Sequence, residues 1–212
     1  TGASGYIGSR IVEDLLQQGY EVHACVRDAS NEKKVNHLLE LGKSSVNGNV
    51  KLFEGDLFKK GSYDKAFINC SAVIHAGATV GFNRETPQEV YDGCFTENEH
   101  VVESVIKSDS IKRLVFTSSF AAVAHPRPEG YVFDEKDWCG DNVEAYKGAW
   151  STDNISKNRD IAYAMAKANT EKYIYEVAEK DGNFEAISIN PLHVIGPLLT
   201  ENHNQFFSWQ FF

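Results

Sequence analysis

Short apolar runs alternate with amphipathic helical segments along the whole chain, and nothing else in the sequence constrains its fold as strongly. EVHACVR (21–27), VKLFEGDL (50–57), SAVIHAGA (71–78), KRLVFTSS (112–119) and FEAISIN (184–190) read as strands. They are apolar rather than alternating, which marks strands buried on both faces. Helical spacing links Ile7, Ile11, Val12, Leu15 and Leu16, with Gly19 placed as a C-cap glycine. Further helices are predicted at 31–42 (ending on a glycine), 62–69, 87–108 and 160–181. A loop rich in Pro, Gly and Asp fills 125–157. Strand and helix in turn predict an α/β fold: a parallel sheet with helices on its faces. In open sheets of this kind ligands sit beyond the carboxyl ends of the strands.

With 212 residues the chain is expected to form one large domain or slightly more. Its net charge of -9 argues against a nucleic-acid partner, which needs a clustered basic face. No apolar run approaches the roughly 18 residues that span a bilayer. Cys25, Cys70, Cys94 and Cys139 lie far apart with no CxxC, so reduced cysteines, no metal site and a cytoplasmic location are expected. Met165 is the only methionine, and a missing N-terminus is expected on that ground.

Residues follow the strands where a ligand would meet them. Gly2-Ala3-Ser4-Gly5-Tyr6-Ile7-Gly8 opens a helix with the form GxxGxxG. Glycine takes positive φ and lets a phosphate approach the backbone. The helix start near Tyr6 adds N–H groups and the positive end of its dipole. A plain tight turn would use the same triplet. Arg27 stands 19 residues after Gly8, where an NAD site places Asp or Glu. A guanidinium suits a 2′-phosphate, and Lys33 and Lys34 follow it, so NADPH is expected over NADH. Arg27 also reads as a solvated charge, and Asp28 could reach a hydroxyl. Asp56 could accept from an adenine amino group with Leu57 over the ring; equally, it could cap a turn. Ala76, Gly77 and Ala78 are small enough to lie against a cofactor, whereas His75 reads as a packed core histidine.

YAMAK places Tyr163 and Lys167 four apart, on one helix face. Ser118 and Ser119 end the preceding strand. An ammonium beside a phenol stabilises phenolate, which makes the tyrosine a better proton donor near neutral pH. A serine hydroxyl can hold a substrate oxygen. Hydride, proton and orientation together point to reduction of a small-molecule carbonyl.

TGASGYIG, VRD, GDL, FTSS, YAMAK and NPLHVIGP fall in the order and spacing of extended short-chain dehydrogenases/reductases. The chain most resembles the dihydroflavonol 4-reductase and cinnamoyl-CoA reductase group, above all through VRDASNEKKVNHLLEL. The resemblance implies a Rossmann-type doubly wound sheet. It implies NADPH binding by the glycine turn, Arg27, Lys34, Asp56, Leu57 and residues 76–78. It implies Ser119, Tyr163 and Lys167 as catalytic residues, and Pro191 to Val194 on the nicotinamide side. It also implies an NADP-binding domain over 1–190 and the start of a substrate lobe at 191–212, with a first strand and most of that lobe absent. The segment between Ser119 and Tyr163 is longer than in the plant enzymes, so their substrates do not carry over. Phe206, Phe207, Trp209, Phe211 and Phe212 are expected to form an apolar patch if exposed. Two alternatives stay open: a non-catalytic NADP-binding sensor, and a nucleotide-sugar epimerase or hydroxysteroid-type dehydrogenase. The sequence sets no oligomeric state.

Overall fold

The computed structural model describes residues 1–78, 86–140 and 152–205. Helix α1 (Tyr6–Gln17) springs from the glycine turn and leads through β1 (Glu21–Val26) and α2 (Glu32–Ser44) to β2 (Asn49–Glu54). Then come β3 (Ala72–His75), α3 (Pro87–Ile106), β4 (Arg113–Thr117), α4 (Arg159–Asp181) and β5 (Glu185–Ile189). All pairings are parallel: β1 with β2, and β3–β4–β5 in that order. Residues 1–3 lie between the two sheets. The Ala3 N–H donates to the Cys25 carbonyl, and the Thr1 amine donates to that of Ile74.

The β1–β2 sheet packs apolar side chains on both of its faces. Val22, Ala24 and Val26 pack with Val12 and Leu16 of α1 and with Val35 and Leu38 of α2. Cys25, Val73, Leu114 and Phe116 face the other way, onto Val101 and Val105 of α3 and Ile174 of α4. Strand β1 splits its residues between two cores, and that is why its sequence reads as continuously apolar, whereas β5 turns Ile187 and Ile189 to a face outside both clusters, Ile189 being 54% exposed. All four cysteines are free thiols, three of them buried. Among the described residues no helix is long and apolar enough to cross a membrane.

The helix ends follow local chemistry. Thr86 and Glu89 form a reciprocal capping box at the start of α3, with Pro87 in the first turn. Asn158 caps α4, and Gly182 closes it at φ 70. Gly19 follows α1 at φ 85, as expected. Two expectations need correcting. Gly42 does not end the second helix, which runs on to Ser44. A Cβ at Gly42 would lie 2.3 Å from Val50 Cγ1, so this glycine is a notch for β2. Residues 62–69 form consecutive turns, not a helix. Their polar side chains bond elsewhere: Ser62 to the Asp56 carbonyl, Asp64 to Ser104 and Lys107. A segment this short does not nucleate a helix alone.

In the loop after β4, Asp137 accepts from Arg127 Nη2 (2.9 Å), the Tyr131 hydroxyl (2.5 Å) and the Asp134 N–H (2.8 Å). Residues 141–151 of that loop, and Phe206, Phe207, Trp209, Phe211 and Phe212, lie outside the described residues. The stretch after β5 returns to the glycine turn. Tyr6 donates to the Gly196 carbonyl (2.9 Å), and the Asn202 amide to that of Lys33 (2.5 Å). His203 Nε2 meets the Ser4 carbonyl at 3.2 Å, and its ring stands edge-on to His37 at 5.4 Å.

The burial of His37 beside His203 predicts an acid-sensitive fold. Burial and the neighbouring His203 depress His37 from an ordinary 6.5 to about 4, and burial lowers His203 as well. Between pH 6.5 and pH 4 the unfolded chain therefore binds protons that the folded chain refuses. Stability contributed by neutral His37 is complete above pH 6.5 and is lost as pH falls towards 4. Urea midpoints should drop across that window, and His37→Gln should flatten the drop. An unchanged pH slope in the variant would show that His37 is not the sensing group.

Candidate active site

The glycine turn is built by backbone contact. Gly2 has φ 68, and a Cβ there would meet Gly77 Cα at 2.6 Å. A Cβ at Gly8 would lie 2.1 Å from the Gly2 carbonyl oxygen. Gly2 thus seats the turn against the end of β3, and Gly8 seats α1 beneath it. Gly5 is the N-cap of α1 and gives the helix no side-chain cap. The end of α1 is left to whatever fills the space in front of it.

That space is a cleft of about 370 Å³ at the carboxyl ends of β1, β2 and β3. It brings together Gly2, Ser4, Gly5, Arg27, Lys34, Asp56, Leu57, Ala76, Gly77 and Ala78. Arg27 and Lys34 are exposed on its rim. Asp28 is turned inward on its own loop. Its Oδ1 accepts from the Ser30 hydroxyl (2.6 Å) and the Ser30 N–H (2.9 Å), and these bonds hold the carboxyl below its ordinary range. Asp56 uses one oxygen locally, accepting from the Phe58 N–H at 3.0 Å.

The remaining expected cofactor residues lie elsewhere. Tyr6, Ile7, Pro191 and Val194 line a second, apolar cavity of about 610 Å³ between α1 and the β3–β5 sheet. Among the residues of the first cleft that sequence reasoning missed are Asn31 and Tyr63. Asn31, the N-cap of α2, lines it without capping its helix by side chain. Its signal was a helix start four residues after Arg27. Tyr63 lines it from the buried side, and burial pushes its phenol well up. A Cβ at Gly55 would lie 2.4 Å from the Tyr63 ring, so the glycine before Asp56 exists to admit that ring.

Ser119 caps a short 3-10 turn (Phe120–Ala122) just past β4, its Oγ accepting from the Ala121 N–H at 3.2 Å. That turn and Tyr163 belong to one apolar cluster. Lys167 is only 3% exposed, and its ammonium reaches the Thr117 carbonyl at 3.4 Å. It lies 5.1 Å from the centre of the Phe116 ring and 5.8 Å from that of Tyr163. The ammonium therefore occupies the carboxyl end of β4, beside the phenol. Glu171, missed in the sequence, is 4% exposed one turn further along α4. Its signal was the same four-residue step that links Tyr163 to Lys167.

Known proteins share this arrangement of elements. A dihydroflavonol 4-reductase of Gerbera hybrida is 37% identical over 203 residues, covering 94% of this chain and 52% of that protein. The cinnamoyl-CoA reductase CAD2 of Medicago truncatula is 36% identical over 204 residues, covering 94% and 58%. The structure of Gre2 from Candida albicans in complex with NADPH superposes with a TM-score of 0.77 at 25% identity, over 93% of this chain and 57% of that one. The chain spans about half the length of the curated relatives it matches. The profile of the NAD dependent epimerase/dehydratase family matches residues 1–210. With a doubly wound sheet, a backbone-built glycine turn and that match, the chain belongs to the NAD dependent epimerase/dehydratase family.

Proposed function

We propose that the complete protein is an NADPH-dependent reductase of a ketone or aldehyde, soluble in the cytoplasm. The observation that carries this reading is the buried Lys167 ammonium, fixed between the end of β4 and the Tyr163 ring. The cleft residues fit the cofactor. Gly2 and Gly77 pack backbone against backbone with no room for a Cβ at Gly2, and both line the cleft. Gly2, Ser4 and Gly5, with the start of α1, would hold the pyrophosphate. Arg27 and Lys34 would take the 2′-phosphate beside Asp28, an ionised carboxylate that is tied to Ser30 and also attracts Lys34. Asp56 and Leu57 would take the adenine. Ala76–Ala78, Lys167, Pro191 and Val194 would border the nicotinamide half, with Tyr6 and Ile7 shaping the turn behind it.

When bound, NADPH supplies the hydride for the carbonyl carbon. The chain supplies the rest. The Ser119 hydroxyl donates a hydrogen bond to the carbonyl oxygen and orients it. Tyr163 gives its phenolic proton to that oxygen, and the product is the alcohol. The Lys167 ammonium stabilises the phenolate that remains until solvent returns the proton. A positioned acid of this kind accelerates reaction by about 10²–10⁴-fold.

Arg27→Ala tests the cofactor assignment. A charge-assisted contact to phosphate is worth about 2–3 kcal/mol, so NADPH should bind ~30- to 150-fold more weakly. NADH affinity should stay within about twofold, since NADH has no 2′-phosphate. Titration of both cofactors by fluorescence reads the difference. Equal losses would show that Arg27 does not read the 2′-phosphate.

A further inference from the structure

The carbonyl of Ser119 is held from outside its own turn. Asn190, just past β5, donates from Nδ2 to that oxygen at 3.1 Å. The same amide nitrogen donates to Glu171 Oε1 at 2.5 Å. On the other side of the Ser119 residue, the Ser118 N–H donates to the Ile189 carbonyl and the Phe120 N–H to that of Pro191, each at 2.9 Å. Tyr163, Lys167 and Glu171 follow one another at four-residue steps, so a single face of α4 carries phenol, ammonium and carboxylate. A carboxylate buried at such a place is unfavourable unless its bonds matter.

We propose that Glu171 is a positioning residue: through Asn190 it locks the main chain bearing Ser119 to the helix bearing Tyr163 and Lys167. The proposal rests on the carbonyl-reductase reading of those three residues. The Ser118 and Ser188 hydroxyls also face the carboxylate, short of formal hydrogen-bond geometry. Burial pushes the Glu171 carboxyl up, and those polar neighbours with the Lys167 ammonium oppose the shift. Without the Glu171–Asn190 link, the Ser119 segment and α4 would be joined by apolar contacts and the single long Lys167–Thr117 bond of 3.4 Å, which set distance less sharply. A small misplacement at reacting groups costs far more in turnover than in binding.

The test uses full-length protein with Glu171→Ala, Glu171→Gln, Asn190→Ala and the double alanine variant. Thermal unfolding, NADPH affinity, kcat and KM are measured for each. Glu171→Ala should lower kcat about 10- to 100-fold, with NADPH Kd and KM within about threefold. Asn190→Ala, at a half-buried position, should give a similar loss, and the double variant should be no worse than either single one. Glu171→Gln keeps an acceptor for Asn190 and should recover most of kcat. Additive losses in the double variant, or a kcat unaffected by Asn190→Ala, would overturn the proposal. So would losses that follow folded fraction or cofactor affinity alone. Tyr163→Phe separates the two levels. If it leaves turnover intact, Tyr163 is not the proton donor and the site reading on which the proposal rests fails; if it abolishes turnover while Glu171→Ala does not, only the positioning role fails.

Discussion

On the proposed carbonyl-reductase reading, Tyr163→Phe in the complete protein should leave NADPH affinity within about twofold and lower carbonyl turnover by about 10²–10⁴-fold. The ring itself should stay in place. Tyr163 packs, partly buried, against the apolar cluster beside the 3-10 turn. Lys167 keeps its bond to the Thr117 carbonyl and its place near the ring. The variant therefore removes one proton donor from an otherwise intact site. Hydride delivery to a carbonyl then leaves an alkoxide with no positioned acid to meet it. The loss should fall on kcat and on kcat/KM together, as expected for an interaction made in the transition state. Turnover within a factor of a few of the parent would remove Tyr163 from the chemistry.

Gly8→Ala should be the most damaging single-methyl change at the turn. Its Cβ would stand 2.1 Å from the Gly2 carbonyl oxygen and 2.8 Å from the Gly2 carbonyl carbon. Both are backbone atoms of a segment already pinned against Gly77, so neither can yield by changing rotamer. Helix α1 must lift away from the turn, which loosens Val12 and Leu16 in the core and spoils the cradle at once. A loss of about 3 kcal/mol or more is expected. For a chain of this size that lowers Tm by roughly 6–12 °C. NADPH affinity should fall with it. Gly130→Ala is the matching control. Gly130 has φ 83 but no atom within 4 Å of its added Cβ, so it should cost only about 1 kcal/mol of backbone strain. Equal Tm losses for the two variants would show that crowding at Gly8 is not the cause.

The sequence was most legible where one residue type has one physical use. Positive φ at Gly2 and Gly19 is a demand that glycine meets and other residues resist. Apolar strands marked a parallel sheet, and β1 shows why, since it feeds a core on each of its faces. Legibility fell where a residue has two uses. Gly42 read as a helix stop, but it makes room for Val50, and nothing local distinguishes a notch from a cap. Asp28 read as a possible hydroxyl ligand, yet Ser30, two residues on, already engages it. Asp56 both lines the cleft and holds a turn. Contacts between distant segments were not legible at all. Tyr63 beneath Gly55, His203 on the Ser4 carbonyl, and Asn190 between Ser119 and Glu171 arise only once the sheet is assembled. The Tyr163–Lys167–Glu171 stripe was partly visible as spacing, but spacing does not reveal which face of a helix is buried.

NADPH oxidation by the full-length protein, followed by absorbance over a panel of ketones and aldehydes, is the most direct test. Carbonyl reduction predicts substrate-dependent loss of NADPH for at least one member of the panel, far slower with NADH and abolished by Tyr163→Phe. Tight NADPH binding with no carbonyl-dependent oxidation across the panel would contradict it and leave a nucleotide-binding protein without this chemistry.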